Sequence, residues 1–131
     1  MIEWKIWIDK ISKLEQWNRR RIIAFKVLFL AHAPDAETAK HRNTIDTGMY
    51  QLFTVVVKNQ AEAVGVCKNY IEMENIDSVL LCPGFTHSDV AEIMKAAGDN
   101  VAVSVARGDG PSGKVSLEAR KREGYLGKKE K

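Results

Sequence analysis

Residues 78–106 read SVLLCPGFTHSDVAEIMKAAGDNVAVSVA, and this stretch decides the fold. Ser78 to Cys82 is a short apolar run ended by Pro83-Gly84, a pair that punctuates a chain. Thr86 stands where a helix N-cap belongs. Val90, Ile93, Met94 and Ala97 then recur at helical spacing, and Gly98 stops the helix. Val101 to Ala106 is apolar again. Strand, helix and strand in so few residues predict two parallel strands joined by a crossover helix.

The same alternation extends outward on both sides. Ile23 to Ala31 is an apolar strand without clear alternation, as expected of a strand covered on both faces. Met49 to Val57 is a second, ending in Val55-Val56-Val57. Asn59, with Glu62 three residues on, is an N-cap signature for a helix over 60–74 that turns Val64, Cys67 and Ile71 to one side. Downstream, Lys114 to Glu123 reads as a last helix ended by Gly124, although Val115 and Leu117 alternate. The long connection from Ala31 to Gly48 admits a weak helix, with Pro34 at its first turn and Ala36, Thr38, Ala39 and Ile45 after it. The expected architecture is a single small α/β domain: a mostly parallel four-stranded sheet flanked by helices.

Length and composition agree. The chain has 131 residues, room for one domain, and at 45% hydrophobic and 28% charged it is neither disordered nor a disulfide scaffold. Two cysteines cannot build a disulfide framework. No secretory signal is apparent, and the longest apolar run, Ile22 to Ala33, is interrupted by Lys26 and too short to span a bilayer. A cytoplasmic protein with reduced thiols is expected. The net charge of +3 is unevenly placed: residues 1–26 hold seven Lys/Arg against three Asp/Glu, residues 114–131 hold the same, and residues 27–113 hold six against eleven. An acidic body with basic ends argues against nucleic acid as the partner, since a binder carries its basic residues on one face.

Residues 1–21 read as an added amphipathic extension. They hold all three Trp, and Trp4, Trp7, Ile8, Ile11 and Leu14 share one helical face, while Ile2, Trp4, Ile6 and Ile8 also permit a short strand. Arg19-Arg20-Arg21 suits a helix C-terminus. This segment is expected to pack on the body or on a second copy in a homo-oligomer. The alternatives are a segment that is not part of the native protein, or a membrane-surface element, which suits Trp flanked by Lys and Arg. Residues 22–125 form the α/β domain in this reading, and 126–131 a basic tail.

Four segments carry a family resemblance: Leu30-Ala31-His32-Ala33-Pro34-Asp35, Lys40-His41-Arg42-Asn43, Pro83-Gly84-Phe85-Thr86-His87, and Ala106-Arg107-Gly108-Asp109-Gly110-Pro111-Ser112-Gly113-Lys114. Over about residues 24–125 the chain resembles a family of small uncharacterised prokaryotic α/β proteins, a domain of unknown function. The resemblance implies a single small α/β domain. It brings no activity and no cofactor.

The chemistry is therefore read from the residues. In an open parallel sheet, ligands bind beyond the carboxyl ends of the strands. His32 and Asp35 follow the first strand, Thr86 and His87 the third, and Arg107 to Gly113 the fourth, with His41 and Arg42 on the connection leaving the same rim. An anionic small molecule, a carboxylate or phosphate, is the expected ligand. It would lie on Gly108, Gly110, Ser112 and Gly113 at a helix N-terminus, with Ser112 as the alternative structural cap, and be held by Arg107, Lys114 and Arg42, with His41 and Thr86 nearby. His32 and His87 are the candidate proton carriers, with Asp35 or Asp109 orienting one of them.

Competing chemistries are weaker. Gly108 to Lys114 has phosphate-loop spacing, but Val115 stands where a magnesium-holding Ser or Thr belongs and no strand ends in the matching Asp. Three histidines without ligand spacing do not predict a metal. Cys67 reads as core. Cys82 reads either as core or as a thiol paired with His87. Arg107-Gly108-Asp109 is an adhesion tripeptide only in an extracellular protein. The alternative from another class is a non-catalytic assembly or partner-binding module whose working surface is the Trp-rich segment.

Overall fold

The computed structural model describes residues 24–127, together with Lys5, Asp9 and Lys10. The rest of the expected amphipathic helix over 1–21, the basic tail beyond Gly127, and so the surface assigned to the partner-binding alternative lie outside the described residues. The elements run β1 (Phe25–His32), β2 (Arg42–Asp46), β3 (Tyr50–Val57), α1 (Gln60–Glu74), β4 (Ser78–Leu81), α2 (His87–Ala97), β5 (Ala102–Val105) and α3 (Gly110–Arg122). They form one α/β domain around a five-stranded sheet in the order β2-β3-β1-β4-β5. β1 pairs in parallel with β3 and β4, β4 pairs in parallel with β5, and β2 runs antiparallel on the outer edge of β3.

One face of the sheet builds the core. Leu28 and Leu30 of β1, Phe53, Val55 and Val57 of β3, and Val79 and Leu81 of β4 are buried, and their registers align, with Leu30 opposite both Val55 and Leu81. Ala63, Val66 and Cys67 of α1 and Ile93 and Ala97 of α2 close over them in a single cluster. β3, β4 and β5 alternate in burial along the strand. β1, at the centre, also buries Val27, which explains why its sequence shows no period of two.

Local signals set the helix ends. Asn59 accepts a hydrogen bond from Glu62 N at 2.9 Å. Thr86 and Asp89 form a reciprocal capping box, with Thr86 Oγ1 accepting from Asp89 N at 3.1 Å and Asp89 Oδ2 accepting from Thr86 N at 3.0 Å. Gly98 ends α2 at φ 81°, a conformation that favours glycine.

Two expectations are corrected. The sheet has five strands rather than four, and the segment expected as a weak helix after Pro34 is a run of turns followed by β2. The return from β2 is a tight hairpin: Gly48 takes φ 97°, its N–H donates to Asp46 Oδ1 at 2.7 Å, and Thr47 N donates to Tyr50 O at 2.9 Å. Among the described residues, no helix is long and apolar enough to cross a membrane.

Candidate functional site

Because β1, β3, β4 and β5 are parallel, the segments leaving their carboxyl ends share one rim, and two cavities open there. The first, about 360 Å³, is lined by His32 and Pro34 after β1, Lys58 after β3, Cys82 and Gly84 after β4, and Arg120 of α3. Ser116, Tyr125 and Leu126 complete the wall contributed by α3 and the turn after it. The second, about 370 Å³, is lined by Phe85, His87, Val105, Arg107 and Gly108. Pro83 belongs to both walls.

The first cavity is electrostatically one-sided. Lys58 and Arg120 line it, and no Asp or Glu does so among the described residues. This stands out in a body that is acidic over 27–113. Arg120 Nε is buried and has no hydrogen-bond partner. An orphaned, charged donor in a cleft is costly unless something accepts from it.

His32 is the last residue of β1. Its ring lies against Phe85, with centroids 4.0 Å apart and planes 30° apart. Burial pushes its pKa below the ordinary histidine value of 6.5, while the Asp89 carboxylate pulls the other way. Burial thus favours the neutral ring, in which one nitrogen carries no proton. The carboxylate acting on this ring is therefore Asp89. Asp35 is exposed in the turn after β1, and Asp109 is the exposed N-cap of α3 and makes no side-chain cap bond.

Gly84 brings the thiol and the imidazole to one spot. A Cβ built on Gly84 would sit 3.4 Å from Cys82 Sγ and 3.6 Å from His32 Nδ1, ordinary contact distances to both. Cys82 shares the first cavity with His32, whereas His87 lines the second. Cys67 is fully buried on α1, and burial pushes its thiol up to about 11.

The other expected residues separate. Arg107, His87 and Gly108 line the second cavity, next to His32 but not with it. Gly110, Ser112, Gly113 and Lys114 are the first residues of α3 rather than a loop, and the N-cap is Asp109, not Ser112. Thr86 is engaged in the capping box. His41 and Arg42 do not join His32. His41 Nδ1 accepts from Glu37 N at 2.8 Å, and Arg42 donates to Thr38 O at 2.8 Å and to Tyr70 Oη at 3.3 Å, with its guanidinium 5.7 Å from the Tyr70 ring centroid. Arg42 lines a separate hollow of about 280 Å³ beside Phe53 and Met73. Among the described residues, no three His, Cys, Asp or Glu side chains are grouped to hold a metal ion.

Lys58 and Arg120 are the residues that sequence reasoning missed. Lys58 directly follows Val57 at the end of β3, so the rule of strand carboxyl ends that picked out His32 also picks out Lys58. Arg120 gives no such signal, because its place depends on how α3 reaches the cavity beyond the ends of β1 and β4.

No curated protein and no solved structure matches the chain. The sequence model of a family described as "Family of unknown function (DUF6506)" matches residues 25–119. That span holds all five strands, α1, α2 and most of α3, so the chain belongs to the DUF6506 family of unknown function.

Proposed function

We propose that the protein binds a small anionic molecule, through a carboxylate or a phosphate, in the cleft beyond the carboxyl ends of β1 and β4. Arg120 and Lys58 anchor the anion. The observation that carries this reading is a cleft whose wall holds two cationic residues, Lys58 and Arg120, and, among the described residues, no acidic one. A carboxylate or phosphate neutralises that cluster. The volume suits a small metabolite rather than a macromolecular segment. Arg107 and Gly108 line the neighbouring cavity, which shares Pro83 with this one.

Calorimetric titration of the full chain with inorganic phosphate, then with small carboxylates and sugar phosphates, tests the reading. Binding is expected, and Arg120→Gln should weaken it roughly ten- to hundredfold, the worth of a hydrogen bond to a charged group. Arg42→Gln, at the remote hollow, should leave it unchanged. Absence of anion binding, or equal affinity in Arg120→Gln, overturns the reading.

A further inference from the structure

The cleft assigned to the anion also holds a thiol, and its surroundings differ from those of the other cysteine. Cys67 is fully enclosed in the core. Cys82 is half-buried, borders the open cleft, and shares its wall with Lys58 and Arg120. A Cβ on Gly84 would touch both Cys82 Sγ and His32 Nδ1, so the two groups lie on the same side of that glycine. A nucleophile and a proton acceptor therefore line one cleft together with a cationic anchor.

We infer that Cys82 is the reacting group of this cleft, a thiol nucleophile for small carbon electrophiles that carry a carboxylate or phosphate, with His32 as its proton acceptor. The inference rests on the anion-binding reading and adds the reaction class. In the step, a sulfur electron pair forms the S–C bond to the electrophilic carbon. The bond from that carbon to its leaving group breaks, and the leaving group departs with the bonding pair. The thiol proton passes to the imidazole of His32, whose neutral form is favoured by burial. Arg120 and Lys58 hold the anionic end, so that the carbon is presented to the thiol from the cleft rather than at random.

Iodoacetate and iodoacetamide separate the parts of this inference, since both alkylate a thiol with loss of iodide and only the first is an anion. The full chain is treated with each at neutral pH, alongside a short cysteine peptide as reference, and modified residues are read by peptide mass spectrometry. Cys82 should be alkylated while Cys67 stays intact. The ratio of iodoacetate to iodoacetamide rates should exceed that of the reference peptide roughly tenfold, the scale of one charge-assisted hydrogen bond. Arg120→Gln should return the ratio to that of the peptide. His32→Gln should slow both reagents and leave the ratio high. Gly84→Ala, whose methyl meets only ordinary contacts, should block both reagents in a protein whose circular dichroism is unchanged. Inorganic phosphate should protect Cys82. If phosphate binds by calorimetry and Cys82 still reacts with the ratio of the peptide, the reactive-thiol inference is overturned while the anion site stands. If phosphate neither binds nor protects and the ratio is that of the peptide, both fall.

Discussion

At His32, loss of water around the ring weighs against the imidazolium, and the Asp89 carboxylate weighs for it, with burial the larger influence. The folded-state pKa is thereby held below 6.5, the value expected of the unfolded chain. The sign of the linkage follows: the contribution to stability is fully present above pH 6.5 and is lost as pH falls through the folded value, because the unfolded chain binds the proton more readily. Titration followed by NMR of the imidazole should give a midpoint below 6.5 for His32, and Asp89→Asn should lower it further. A midpoint above 6.5 would show the carboxylate to be the stronger influence. The same residue illustrates what could be read without a structure. His32 ends an apolar strand, and the rule for parallel sheets places such a residue at the rim whatever the details. Its partners could not be read this way. Phe85 and Asp89 reach it from the start of α2, Gly84 and Cys82 from the end of β4, and Arg120 lies 88 positions away in sequence on a helix whose own pattern is weak.

α2 and β2 mark the two extremes of how strongly a local pattern specifies an element. α2 is over-determined: Thr86 and Asp89 close a capping box, Ile93 and Ala97 are buried on one side, and Gly98 terminates the last turn. Thr86→Ala should therefore cost about 1 kcal/mol of stability in urea unfolding, with phosphate affinity unchanged, because the hydroxyl is already committed to Asp89 N. A loss of affinity without a loss of stability would instead return Thr86 to the binding site. β2 carries almost no pattern. Its five residues, Arg42-Asn43-Thr44-Ile45-Asp46, are all exposed, so no alternation of apolar and polar residues betrays it. It exists because β3 offers an edge and because Asp46-Thr47-Gly48 supplies a tight return. The turn was legible in Gly48, whereas the strand was not, since an exposed edge strand is held by backbone pairing rather than by side-chain burial. With β2 in place, His41 and Arg42 are carried outward to Glu37, Thr38 and Tyr70, which is why a connection that starts at the rim does not deliver them to the site.

On the scale of the whole molecule, the question is whether residues 24–127 are a self-sufficient fold. The core answers in favour: among the described residues, the buried cluster runs from Leu28 to Ala97, on β1, β3, α1, the turn before β4, β4, the turn before α2, and α2 itself. The family match begins at residue 25, at the first residue of β1. Removing residues 1–21 should therefore leave a domain that unfolds cooperatively and still binds phosphate through Arg120. The removed segment is nevertheless rich in large apolar side chains, with Trp4, Trp7 and Ile11 at helical spacing, and burying one such side chain contributes roughly 1.5–3 kcal/mol. The sheet face away from α1 and α2 keeps Phe29, Leu52, Val56 and Leu80 only half-covered, and apolar surface of that kind gains from a cover. The truncated chain should accordingly melt at a lower temperature than the full chain, or lose a subunit interface, while keeping its fold. Circular dichroism and light scattering on residues 22–131 check both outcomes. An unfolded product would place the segment in the core, and an unchanged melting temperature and mass would show that it covers neither the domain nor a second copy.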